Sequence, residues 1–355
     1  MSLTITLFFA ALGLGTFVWG PFADRYGRRP VMFVALAAVV FGAVVSSFAP
    51  TFEIFLLGRV VWGLAAAGPR TVVLAMTRDS YEGNDMARIM SLTLAVFLVV
   101  PILAPAFGEL LLSFGSWRLT TLSAAIMALV GAAWFTRVDE TLDPEAALPL
   151  EFGRVRRAAK AVVTTKSTML FTIAAVMTYG SFFPWLASSP TLIGDIYGRD
   201  GQFALIFAVN AAGMALAIIT VERLVRRFST MPVIMAQVAV LIAVSITYVV
   251  VSIASDGVPN FWLWFVMLSV LTATNSSSSP LIQSMAMQPM GSIAGTAASV
   301  TGGMVFLGGA VLGWFVDRAI DDTVTPFGVG FLIYGIVIAI TVLAARASVD
   351  DAPAT

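Results

Sequence analysis

Two arginines, Arg59 and Arg70, sit inside the apolar run 53–76. With Gly63 and Ala66 they are spaced by 4, 3 and 4 residues, which puts all four on one helical face. A charge inside an apolar span marks a functional site by default, because lipid cannot solvate it. Arg70 is read as a contact for an anionic substrate or for the opposite half of the protein. Glu109 lies near the outer end of the next run, at a depth similar to that of Arg59. An Arg59–Glu109 ion pair is therefore allowed, and in low dielectric it would couple protonation to conformation. Other chemistry is excluded. The 355 residues contain no Cys and no His, which removes disulfides, thiol catalysis, haem ligation by His and most zinc sites. Proton handling is left to carboxylates. There is no G-x-x-x-x-G-K-[ST] stretch for ATP and no nucleophile–base set, so an enzyme is not expected, nor a metal or a cofactor.

The elements that must position these groups are membrane helices. Hydrophobic residues make up 59% of the chain and charged ones 11%, against about 25% charged in soluble domains; mean hydropathy is +0.94. Eleven apolar runs are long enough to cross a bilayer: roughly 2–20, 30–49, 53–76, 87–112, 118–136, 167–188, 202–221, 231–253, 260–282, 292–315 and 326–346. The predicted class is an all-α polytopic membrane protein. Residues 1–136 form an N-terminal bundle of five spans, 137–166 a basic cytoplasmic linker, and 167–355 a C-terminal bundle of six. The charged stretch Gly20–Pro30 carries Arg25, Arg28 and Arg29 and belongs on the cytoplasmic side. With that placement 15 of the 20 Lys and Arg lie inside, 3 outside and 2 within a span. The C-terminus is then cytoplasmic.

The two halves also repeat. Gly27–Met32 can be laid on Ser229–Ile234 with a shift of 202 residues, and span 87–112 then falls on 289–314. Span 167–188 would need a partner upstream of Met1, so one helix and its lead-in, about 35–45 residues, are expected to be missing at the N-terminus. In the second half the candidate cavity residues are Tyr179, Trp185, Asn210 and Asn275, with Trp62 and Arg70 from the first. The run Ser276–Ser279 before Pro280 is read either as small-residue packing or as cavity lining.

The spelling Gly20-Pro21-Phe22-Ala23-Asp24-Arg25-Tyr26-Gly27-Arg28-Arg29-Pro30 resembles the signature loop of the major facilitator superfamily. Arg59-x-x-x-Gly63 resembles the fourth-helix motif of its drug:proton antiporters. The run Arg78-Asp79-x-Tyr81-Glu82-Gly83, then Pro101-Ile102-Leu103-Ala104-Pro105-x-x-Gly108, is similar to the Bcr/CflA multidrug efflux subfamily, with Pro101, Pro105 and Gly108 as a helix-kink motif. Glu109 departs from that pattern, which usually has an uncharged residue there. The resemblance implies two helical bundles related by a pseudo-two-fold repeat, twelve spans in all, in a bacterial inner membrane. It implies export of small amphipathic compounds by proton antiport and alternating access, with no cofactor beyond the proton gradient, no nucleic-acid partner and a monomer. It implies that Asp24 latches an inner gate with Arg25, Arg28, Gly20 and Gly27, meeting Gly291–Ser292 or Arg78, and that Arg59 serves proton coupling. Two alternatives stay open: a transporter of a specific, possibly anionic, metabolite, and a truncated, non-transporting relic.

Overall fold

The computed structural model describes residues 2–81, 85, 89, 100, 103–143 and 152–350. Among the described residues every regular element is a helix: α1 Ser2–Tyr26, α2 Arg28–Ser47, α3 Phe52–Ser80, α4 Leu103–Ser113, α5 Arg118–Phe135, α6 Phe152–Thr164, α7 Lys166–Pro190, α8 Phe203–Phe228, α9 Thr230–Ala254, α10 Phe261–Met287, α11 Ala294–Ala319 and α12 Thr325–Asp350. Helices are the form a single apolar segment can take in lipid, because every backbone N–H and C=O is satisfied within the segment. Their starts follow local chemistry. The Thr51 hydroxyl accepts from Ile54 N–H at the start of α3, and the Asn260 side chain accepts from Trp262 N–H at 3.0 Å at the start of α10.

Nine helical stretches among the described residues are long and apolar enough to span a membrane. They coincide with nine of the eleven expected runs. A tenth, α10, has 27 residues and no charge, but Thr272, Thr274, Asn275 and Ser276–Ser279 make it less apolar than the others. Of the expected span 87–112, most lies outside the described residues; its end is α4.

The chain forms two compact units. One comprises Leu7–Ala158 and Ala298–Leu307, the other Met1–Thr6, Ala159–Ala297 and Gly308–Thr355. The division falls inside α6, within the expected linker, while the stretch Ala298–Leu307 of α11 groups with the N-terminal helices. In the first unit α2 packs on α3 and α5. α1 packs on α3 at Gly63, where a Cβ would lie 2.4 Å from the Phe8 carbonyl oxygen. In the second unit α10 packs on α7, α8 and α9, and α12 on α7 and α9.

The repeat has a backbone signature. Gly27, just before α2, has φ 97° and ψ 156°; Ser229, just before α9 and 202 residues later, has φ 64° and ψ 168°. Both turns use a conformation that favours glycine, yet the second is built with serine. That strain costs on the order of 1 kcal/mol. Ser229→Gly is expected to raise the melting temperature of the detergent-purified protein by a few degrees; a fall would contradict the shared turn.

Candidate functional site

The stretch Gly20–Pro30 is expected as an open loop between spans. In the structure α1 runs on through it to Tyr26, α2 begins at Arg28, and Gly27 alone separates them. Pro30 sits in the first turn of α2, where its missing N–H breaks no helical bond. The two glycines differ in their reasons. At Gly27 φ is 97° and a Cβ would lie 2.6 Å from Glu140 Oε2, so both torsion and space demand glycine. At Gly20 a Cβ would meet Ser299 Oγ at 3.6 Å, an ordinary contact.

The charges form a connected cluster. Arg28 is 7% exposed; its Nη1 donates to Asp24 Oδ1 at 2.6 Å and its Nε to Asp79 Oδ2, at the end of α3, at 2.9 Å. Thr141 Oγ1 also donates to Asp79 Oδ2, at 3.2 Å. The partner of Asp24 in the first unit is therefore Arg28, and the ion pairs described there do not include Arg78. Arg25 is exposed. Ser292 has no described side chain.

Glu140, absent from the sequence-based candidates, holds the cluster together. Its Oε1 accepts from the backbone N–H groups of Arg28 at 2.8 Å, Thr141 at 3.0 Å and Leu142 at 3.0 Å, and its Oε2 from that of Arg29 at 2.9 Å. The Arg29 guanidinium donates to the Thr136 carbonyl at 3.0 Å. A helix leaves its first N–H groups without internal partners, and α2 has a glycine N-cap with no side-chain cap and no acid in its first turn. That missing cap is the sequence signal for a carboxylate delivered from elsewhere. Burial disfavours the ionised form of Glu140, but the four backbone donors outweigh it and hold the carboxyl below its ordinary range. A depressed folded-state pKa contributes stability above the unfolded value and loses it as pH falls through the folded one. Glu140→Gln is expected to flatten the fall in melting temperature below pH of about 4.3, read as melting against pH for both proteins; parallel curves would contradict this.

The expected Arg59–Glu109 pair does not form among the described ion pairs. The Arg59 guanidinium lies instead over Phe8 at 4.7 Å and Trp62 at 4.9 Å, with its Nε buried and without a hydrogen-bond partner. Two cation–π contacts at about 0.5–2 kcal/mol each offset only part of the several kcal/mol that burying a cation costs. Glu109 is exposed on α4. Matching depth along two helices does not fix rotation about their axes. Of the kink motif, Pro105 and Gly108 lie in α4 and Pro101 lies outside the described residues.

Arg70 is exposed on α3, with its guanidinium over the Phe306 ring at 5.6 Å. Trp62 and Tyr179 are partly buried. The other cavity candidates are interior to the second unit. Trp185, 1% exposed, stacks on Phe207 at 5.4 Å. Asn210, 1% exposed, donates to Thr272 Oγ1 at 3.0 Å, and Asn275, 1% exposed, to the Thr178 carbonyl at 2.9 Å. The Thr272 hydroxyl gives its proton to the Leu268 carbonyl at 2.9 Å, so Asn210 must meet it with an N–H. These amides tie α10 to α8 and α7.

Comparison with known proteins agrees with this architecture. The sequence profile described as Major Facilitator Superfamily matches residues 1–313. A bicyclomycin resistance protein homolog of Haemophilus influenzae is 25% identical over 325 residues, covering 91% of this chain and 81% of its own. A chloramphenicol resistance protein of Pseudomonas aeruginosa is 26% identical over 330 residues, covering 88% and 73%. Among solved structures, the xylose transporter XylE of E. coli in a partially occluded inward-open conformation superposes with a TM-score of 0.74 at 13% identity, covering 100% of this chain and 88% of that one.

Proposed function

Because the chain belongs to the Major Facilitator Superfamily, we propose that it is a secondary transporter that exports small amphipathic compounds across the bacterial inner membrane in exchange for protons. The observation that carries this reading is the pair of relatives named for resistance to two different compounds, each aligned over at least 88% of the chain. The site supports it. Asp24, Arg28, Asp79 and Glu140 join the ends of α1, α2 and α3 to the segment after α5, and such a clamp would let those ends move as one piece between inward-open and outward-open states. Gly27 is its pivot. Arg59 is a partly buried cation lying over Phe8 and Trp62. A guanidinium does not deprotonate at working pH, so its role in coupling is the field it imposes on proton binding. Glu109 is the acidic candidate for that proton. The protein works as a monomer, with its C-terminus in the cytoplasm.

The test is flux in proteoliposomes with an imposed pH gradient. Arg59→Gln is expected to lower gradient-driven export by about tenfold, the scale of one lost charge interaction, while leaving exchange without a gradient unchanged. Equal losses in both modes would show that Arg59 serves structure alone. Full gradient response in Glu109→Gln would remove Glu109 from the coupling.

A further inference from the structure

Arg70 lies eighteen residues from the start of α3 and ten from its end, about 27 Å and 15 Å along the axis. A guanidinium at such a depth cannot face lipid without heavy cost, so an exposed one faces water. It has no carboxylate partner among the described residues. Of the acids in the apolar helices, Glu109 lies four residues from the end of α4 and Glu222 six residues from the end of α8, where Arg226 binds it at 2.6 Å. Among the described residues its guanidinium has no hydrogen-bond acceptor, only the Phe306 ring at 5.6 Å, so Arg70 supplies donor capacity for a ligand.

Beside it lies an aromatic row within the same unit. Phe306, under the Arg70 guanidinium, stacks on Phe9 with ring centres 6.4 Å apart and planes 6° from parallel. Phe9 meets Phe8 edge-on at 5.5 Å, and Phe8 meets Trp62 at 5.7 Å. Arg59 closes the far end of the row over Phe8 and Trp62. Two cations on one stripe of α3, eleven residues and about 16 Å apart, therefore bracket four rings.

We propose that Arg70 and the Phe306–Phe9 ledge form a binding site for an aromatic amphipathic anion, the carboxylate on the guanidinium and the ring system along the ledge. The guanidinium fork matches a carboxylate bidentately, and the ledge supplies flat apolar area. This deepens the export reading, on which it rests, by giving the exported compound a charge and a shape.

The experiment compares 2-naphthoate with its uncharged isostere 2-naphthamide, by calorimetric titration of the purified full-length protein in detergent and by gradient-driven flux in proteoliposomes. The wild type is expected to bind the acid at least about tenfold more tightly than the amide, the scale of a charge-assisted hydrogen-bonded pair. Arg70→Gln should remove that preference while leaving amide binding unchanged. Arg70→Lys, which keeps the charge but loses the fork, should retain part of it, and Phe306→Leu should weaken both ligands equally. Neutralising the exposed Arg118 controls for net charge and should change nothing. Equal binding of acid and amide by the wild type, or an unchanged preference in Arg70→Gln, overturns the site. Flux separates the two ideas. Charge-selective binding without gradient-driven movement leaves the site standing and removes the export reading. Gradient-driven movement of the amide, with no Arg70-dependent preference for the acid, leaves export standing and removes the site.

Discussion

Gly27→Ala is expected to abolish transport and to lower the yield of folded protein sharply. Two effects act together. At φ 97° and ψ 156° an alanine is strained by about 1–3 kcal/mol. Its Cβ would also stand 2.6 Å from Glu140 Oε2, inside any real contact distance. The carboxylate would have to retreat from the N–H groups of Arg28 and Arg29, leaving α2 uncapped at a further cost of about 0.5–2 kcal/mol. Gly20→Ala is the matched control, because its nearest contact of 3.6 Å is ordinary van der Waals distance. Radioligand flux and size-exclusion elution of the two variants are the readouts. A Gly27→Ala protein that transports as the wild type does would show that the turn is not the pivot.

The second large effect is expected from Arg28→Gln. Ion pairs are worth little when both partners reach water: Glu222–Arg226 has side chains 63% and 78% exposed and is worth about 0.3–0.5 kcal/mol. The Arg28 side chain is 8% exposed and joins two carboxylates. Removing it leaves Asp24 and Asp79 facing each other without their cation, the situation that costs about 3–5 kcal/mol in buried pairs. The partial exposure of Asp24, 41%, puts the expected loss at the lower end of that range. Melting temperature and flux should both fall. Adding Asp79→Asn should recover part of the loss, since it removes the repulsion that Arg28→Gln exposes. Arg25→Gln, at an exposed position, should behave as the wild type. A double variant no better than the single one would mean that Arg28 does not act by bridging Asp24 and Asp79.

The sequence made the membrane class and most span positions legible, because twenty apolar residues in a row leave a chain few alternatives. It also pointed to Asp24, Gly27 and Arg28 by type and spacing, and to Arg59 and Arg70 by their cost in lipid. What it withheld was partnership. Glu140 meets Arg28 across 112 residues and Asp79 meets it across 51, and no local spacing encodes such pairs. The extent of the loop was overdrawn for a related reason: Gly20 and Pro21 look like breakers, yet α1 carries both. Trp185, Asn210 and Asn275 were assigned to a cavity on residue type; both amides bind a neighbouring helix through nitrogen and keep a buried Oδ1 without a partner, and residue type alone does not tell a helix tie from a ligand contact. The Arg59–Glu109 pairing is not among the described ion pairs, and a run of apolar residues leaves helix rotation open.

The most direct test of the whole account is the direction of transport under a reversed gradient. The purified chain is reconstituted in liposomes, a substrate is loaded on both sides, and the pH difference is imposed first one way and then the other. Proton-driven antiport predicts net substrate movement opposite to the proton flow in both cases, with internal pH changing only when substrate is present. Substrate movement that keeps its direction and rate when the gradient is reversed would contradict the account.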